Sequence, residues 1–230
     1  MSLYAIADLH LSSSGEKPMD IFGAHWAGHA DKIRARWMEV VSPEDTVLIP
    51  GDISWAMRFE EAIPDLEWIA ALPGTKVMVR GNHDYWWSSK RPAARLQAMI
   101  PPSLVPLHKT AHVVEQDGRR IGVAGTRGWV VPPATPHDAE IIATEIQRLR
   151  ASLDSLPPVD ALVGMIHFPP FTPELGDTEF ARLFREAGAR TVVYGHVHRG
   201  KGRFFDGERD GVRYRNVAAD QVDFQPQPLF

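Results

Sequence analysis

Five short apolar runs in this chain each end on a residue able to hold a metal ion. Segment 3–7 leads into Asp8-Leu9-His10, 46–50 into Gly51-Asp52, and 76–80 into Gly81-Asn82-His83-Asp84. Segment 162–166 leads into His167, and 191–194 into Gly195-His196-Val197-His198. Short apolar runs bounded by turn residues read as buried strands. Active sites of α/β sheets gather at the carboxyl ends of strands. If the five strands lie side by side, the polar residues behind them converge on one edge. Positions i and i+2 at a strand end face the same way, so Asp8 with His10, and His196 with His198, can each reach one ion. Glycines 51, 81 and 195 permit sharp turns there.

Between these runs the pattern alternates. Helices are expected over 30–41, 59–72 (with Pro64 bending it or delaying its start), 93–100, 137–156 and 178–187. Asp117-Gly118 joins segments 111–116 and 119–124 as a hairpin. Further strands are expected over 160–166 and 190–194, and a late hairpin over 202–205 and 212–217. The tail 221–230 reads as irregular. The N-terminal half is thus β-α-β-α-β and the second half richer in hairpins. The expected class is α/β (α+β): two mixed sheets packed face to face with helices outside, a four-layer αββα sandwich. No linker divides the chain, so residues 1–230 are expected to form one domain.

Composition narrows the function classes. There is no cysteine, which removes disulfides, a thiolate nucleophile and thiolate metal sites. A net charge of −4, with no basic run, argues against nucleic acid as a partner. No stretch approaches the roughly 20 apolar residues of a membrane span, and the start does not read as a signal peptide. A cytoplasmic location is expected. Asp, His and Asn together offer ligands suited to Mn²⁺, Fe or Zn²⁺.

The blocks DLH at 8–10, GD at 51–52, GNHD at 81–84, the lone histidine of MIHFPP and GHVH at 195–198 resemble the calcineurin-like metallophosphoesterases. The resemblance runs from residue 8 to 198. It implies two metal ions, with Asp8, His10 and His198 on the first, Asn82, His167 and His196 on the second, and Asp52 shared. Such a pair activates a water and clamps phosphate oxygens. It also implies that His83 is the catalytic acid, or transition-state stabiliser, at the leaving-group oxygen. Asp84 either orients His83 or caps the following turn. The protein Ser/Thr phosphatase branch extends its second block to GDxVDRG; here the run is Gly51-Asp52-Ile53-Ser54-Trp55-Ala56-Met57-Arg58, without that second aspartate or its arginine. The chain is more similar to the small bacterial phosphoesterases of the family.

The implied activity is metal-dependent hydrolysis of a small-molecule phosphate ester, by a phosphodiesterase or small-molecule phosphatase. The alternatives are a non-catalytic interaction scaffold with the same fold, or a nuclease. Trp86 and Trp87 either wall the substrate or belong to the core, and Trp55 and Trp129 also adjoin strand ends. Arg127 either binds phosphate or makes a surface salt bridge, with Arg58 and Arg199 as weaker candidates. Trp26, Trp37 and Trp68 are expected to pack helices, His25 and His29 to be surface or packing residues, and His108, His112 and His137 to be solvated.

Overall fold

The computed structural model describes residues 1–13, 17–88, 90 and 92–230. Eleven strands and five α-helices are present among them: β1 (Leu3–Ala5), α1 (His29–Val40), β2 (Thr46–Pro50), α2 (Phe59–Ala70), β3 (Thr75–Val79), α3 (Ala93–Gln97), β4 (Leu104–Pro106), β5 (Ala111–Gln116), β6 (Arg119–Thr126), α4 (Pro136–Asp154), β7 (Ala161–Ile166), α5 (Glu179–Glu186), β8 (Ala189–Tyr194), β9 (Gly207–Arg209), β10 (Val212–Asn216) and β11 (Gln227–Pro228). One sheet has the order β11-β1-β2-β3-β4, the other β5-β6-β7-β8-β10-β9. Strands β1 to β4 run parallel, as do β6, β7, β8 and β10. Parallel pairing brings the carboxyl ends of one sheet's main strands to a common edge.

Period-two alternation decides which way each side chain packs. Leu3, Ala5, Leu48, Val77 and Val79 point from the first sheet into a dry layer shared with Val114, Ile121, Val123, Val163, Met165 and Val193 of the second. The intervening Ile6, Val47, Ile49 and Met78 face the other way, into a core with Ile33 and Trp37 of α1 and Leu66 and Ile69 of α2. Leu162, Ile166, Val192 and Tyr194 do the same under Leu149 of α4 and Phe180 and Phe184 of α5. The result is the expected sandwich of two sheets between two helical layers. Strands buried on both faces, such as β2 with every residue buried, must be apolar throughout.

Local chemistry sets the helix boundaries. Thr135 caps α4 in a reciprocal box with Asp138, with Pro136 at the first helical position. Pro64 lies inside α2 without breaking it. Lys76 is fully buried, and its ammonium donates to the carbonyl oxygens of Leu72 and Ala70 at the end of α2. Burial lowers its pKa to about 8. Asp117 and Gly118 both take positive φ (51° and 76°), as the two-residue hairpin between β5 and β6 requires.

Three expectations are corrected. The late hairpin pairs β9 with β10, so 202–205 is not its first strand. Phe204 and Phe205 instead pack against the second sheet's outer core. The tail is not wholly irregular: β11 adds an antiparallel edge to β1, with Tyr4 opposite Pro228. The three-residue edge strand β4, unpredicted, pairs with β3. Each is a very short edge strand held mainly by backbone bonds, and proline is tolerated at edges. Among the described residues no helix is long and apolar enough to cross a membrane.

Candidate metal centre

The strand ends meet at one edge of the sandwich, and both sheets contribute. From the first come Asp8 and His10 after β1, Asp52 after β2, and Asn82, His83 and Asp84 after β3. From the second come His167 after β7, and His196 and His198 after β8. The aiming is not done by strand alternation. β1 ends at Ala5, and Asp8, His10, Asp52 and His196 adopt left-handed backbone, with φ of 58°, 45°, 51° and 70°. Non-glycine residues enter this region uncommonly, Asp and His more than most, and such conformations cluster at functional sites. Each turn is locked by its neighbours: the Asp8 and His10 amides donate to the carbonyl oxygens of Gly51 and Asp52, and the His196 amide to Asp8 Oδ2 at 2.9 Å.

The seven residues gather in one cluster in which two carboxylates, Asp52 and Asp8, each approach both His10 and His167. His10 Nε2 lies 3.4 Å from His198 Nε2, 3.9 Å from Asp8 Oδ1 and 3.8 Å from Asp52 Oδ2. On the other side, His167 Nε2 is 2.7 Å from Asn82 Oδ1 and 3.5 Å from Asp52 Oδ2, and His196 Nδ1 is 3.0 Å from Asn82 Oδ1. Ligands at about 2.0–2.2 Å from one ion stand roughly 3–3.5 Å from each other, and the 3.4, 3.5 and 3.0 Å spacings match this, while His167 Nε2 and Asn82 Oδ1 at 2.7 Å are at hydrogen-bond distance. Asp8, His10 and His198, and separately Asp8, Asp52 and His167, each present donor atoms within 4.8 Å of one another.

The site's electrostatics fit dications. Burial lowers the pKa of His10, and takes His167 and His196 to about 3, so these imidazoles are neutral and keep a lone pair for a ligand. Burial raises Asp8 well above the usual carboxylate range and raises Asp52 as well. Asp8 Oδ1 is buried with no hydrogen-bond partner. Anionic carboxylates in a dry cluster need a counter-charge, and bound divalent cations supply the largest one available. Two glycines leave room for the carboxylates. A Cβ on Gly81 would stand 2.1 Å from Asp52 Oδ1, and one on Gly195 would stand 2.2 Å from Asp8 Oδ2.

His83 lies beside the group rather than in it. Its amide donates to Asp52 Oδ1 at 2.8 Å, and its ring packs on Trp55 with centroids 4.2 Å apart. Burial lowers its pKa, against the attraction of Asp52. Asp84 makes no contact with the His83 ring. Its carboxylate accepts from the amides of Gly81, Ile53 and Ser54 and from Trp86 Nε1, which ties the β2 and β3 turns together. Burial and the nearby Asp52 raise its pKa to about 6.

Of the two readings open for Trp86, Trp87 and Arg127, the structure places the tryptophans in the core and the arginine in an ion pair. Trp86 and Trp87 are 2% and 0% exposed and belong to the core beneath the first sheet, with no ring face open to a ligand. Arg127 pairs with Glu145 at 3.3 Å and stacks on Trp129 at 4.6 Å. Arg58 is exposed and paired with Glu61, while Arg199 pairs with Asp223 at 2.8 Å. Of the tryptophans expected to pack helices, Trp37 is buried in the core and Trp68 half-buried. His137 is exposed, and His108 and His112 are half-buried.

The rings that do face the centre are Trp55, stacked on His10 at 4.8 Å, and Trp26, edge-on to His10 and His198. With Met19, Phe22, His25 and His83 they line a cleft of about 130 Å³. Residues 19–26, in two 3-10 turns, form one side of it. His25 faces this cleft, and His29 Nε2 lies 3.2 Å from the His10 carbonyl oxygen.

Asp220 is an addition to the expected set. Its Oδ1 is 3.0 Å from His198 Nδ1, its Oδ2 accepts from the Arg199 amide, and it is 1% exposed. Burial alone would lower the His198 pKa, but the carboxylates of Asp220, Asp8 and Asp52 hold it above the ordinary value. A signal exists in the chain: Asp220 follows β10, a further strand parallel to β8. A carboxylate behind a ligating imidazole fixes its ring and tautomer. Asp220→Asn is expected to weaken metal binding about 10–100-fold; competition against a fluorescent chelator measures it.

The calcineurin-like phosphoesterase family model matches residues 1–200, and the chain belongs to that family. It is a metal-dependent phosphoesterase by that membership. Among solved structures, phosphopantetheinyl hydrolase from Mycobacterium tuberculosis superposes with a TM-score of 0.62 at 20% identity, over 100% of this chain and 95% of that one. TT1561 of Thermus thermophilus gives 0.56 at 13% identity, over 99% and 97%. GAP50, the anchor in the inner membrane complex of Plasmodium, gives 0.55 at 11% identity, over 96% and 72%. At these identities the likeness is one of fold. No curated protein matches the chain.

Proposed function

We propose that this protein hydrolyses phosphate esters of small molecules at a two-metal centre, as a phosphodiesterase or small-molecule phosphatase. The observation that carries the reading is the position of Asp52 Oδ2, 3.8 Å from His10 Nε2 and 3.5 Å from His167 Nε2, between the two histidine groups. Asp8, His10 and His198 would hold one ion and Asn82, His167 and His196 the other, with Asp52 shared. When bound, such a pair supplies an activated water and charge to offset that of the phosphate oxygens. Mn²⁺, Fe and Zn²⁺ all suit this ligand set.

The chain's own residues supply the rest. The neutral imidazoles of His10, His167 and His196 present lone pairs without competing protons. Asp220 holds the His198 ring in place. His83, fixed through its amide to Asp52 and through its ring to Trp55, hydrogen-bonds the departing oxygen and delivers its proton. Asp84 acts at one remove, by holding the turn that carries Asn82 and His83. Trp55 and Trp26 exclude water from one side, and a drier site strengthens each electrostatic contact within it.

The test is hydrolysis of bis-p-nitrophenyl phosphate and of phosphomonoesters with Mn²⁺, Fe²⁺ and Zn²⁺ supplied separately. Turnover with at least one metal is expected. His83→Ala should lower kcat about 10²–10⁴-fold while the metal content is unchanged. A parallel fall in bound metal would show that His83 acts structurally instead.

A further inference from the structure

A second cleft is lined by His196 and Val197, from the loop that also carries His198. It has a volume of about 220 Å³ and includes His196 in its lining. Its walls are mostly apolar, with Val130, Val131, Phe171, Leu175, Phe204 and Phe205, and Thr172, Lys201 and Arg203 add polar groups to the lining. Val130 is 48% exposed, so part of this surface is open to water. The first cleft contains His83 and His198, the second contains His196, and Lys201 lines both. Each cleft therefore shares lining residues with the candidate metal centre, and Lys201 is common to both. One is walled by rings beside the proposed acid. The other is walled mainly by aliphatic and phenylalanine side chains, with Lys201 and Arg203, and holds no carboxylate among its lining residues.

A phosphomonoester has one organic arm and would leave one cleft empty. A diester has two. We infer that the substrate is a phosphodiester whose leaving arm occupies the cleft with His83 and whose retained arm is apolar and lies in the cleft lined by Val130, Val131, Phe171 and Phe204. This rests on the reading above, with His83 at the leaving oxygen. Water forms the new P–O bond, and the P–O bond to the arm beside His83 breaks. Of the two water protons, one ends on the departing oxygen and the other on the retained alkyl phosphate or in solvent. Burial of each methylene in an apolar pocket favours binding, so the retained arm should be read by length.

The experiment uses p-nitrophenyl methyl, butyl and hexyl phosphate with the metal-loaded full chain. The leaving group is constant, so only the retained arm varies. kcat/KM is expected to rise at least about tenfold from methyl to hexyl. Val130→Arg places a charged side chain at the mouth and should reduce the hexyl-to-methyl ratio to about one. Phe204→Ala, which opens the wall without adding charge, should lower the ratio less. The exposure of Val130 makes its replacement tolerable to the fold, and circular dichroism checks this. Turnover that is flat or falling with chain length, or a ratio unmoved by Val130→Arg, overturns the inference and leaves the phosphoesterase reading standing. No turnover of any of the three esters overturns the inference, and no turnover of phosphomonoesters either overturns the phosphoester-hydrolase reading with it.

Discussion

Asp52→Asn is expected to take phosphodiester hydrolysis below detection and to empty the metal centre of at least one ion. The substitution keeps the shape of the side chain and removes its charge. One oxygen of Asp52 faces His10 and His167 from between them, and the other accepts the His83 amide. A neutral amide offers one oxygen in place of two and no negative charge to a pair of dications. The shared position makes this more damaging than loss of a ligand serving one ion. Asp52→Asn should unfold at a temperature no lower than the wild-type protein without metal, because burial already penalises its charged form. Turnover together with metal content on the same sample separates this from misfolding.

Gly81→Ala is expected to be nearly as severe, although glycine carries no chemistry. The added methyl would fall 2.1 Å from Asp52 Oδ1 and 2.2 Å from the Asp52 amide nitrogen. Neither atom has free space to move into, since Asp52 is 1% exposed and the facing Gly51 is packed against Gly81. Relief must come from a shift of the β2 or β3 turn, and either shift moves the shared carboxylate. A displacement of about 1 Å can cost about 10²-fold in rate. Here it should also lower metal affinity, while overpacking destabilises the fold by about 1–3 kcal/mol. Wild-type metal content and turnover in Gly81→Ala would show that the close approach at this glycine does not matter to the centre.

The five strand-end blocks were legible because two constraints coincide there. A strand buried on both faces must be apolar, so the first polar residue after it is conspicuous. Parallel strands then bring those residues to one edge without further information. The division of ligands came from the resemblance, and the distances are compatible with it. What was not legible depended on direction and on distant partners. Trp86 and Trp87 follow the Asn82–Asp84 turn directly, yet the chain turns back under the sheet there and both rings face the core. Trp55 was marked by its place three residues after Asp52, but Trp26 carries no distinguishing neighbours, and only the packing of residues 19–26 over His10 puts it beside the centre. Asp220 sits 22 positions from the histidine it supports. Its strand is less apolar than the others, with Arg213 and Arg215 alternating outward, so its end does not stand out. The edge strands β4 and β11 are too short for any period to register.

The scaffold alternative is addressed by the metal itself. A protein that kept this fold for assembly alone has no reason to retain three neutral buried imidazoles around carboxylates whose charge burial opposes. The most direct measurement is the number of ions bound per chain, by mass spectrometry of metals after loading with Mn²⁺ and removal of free ion. Two ions per chain in the wild-type protein is the predicted result. Fewer than one per chain would contradict a two-metal centre built from Asp8, His10, Asp52, Asn82, His167, His196 and His198.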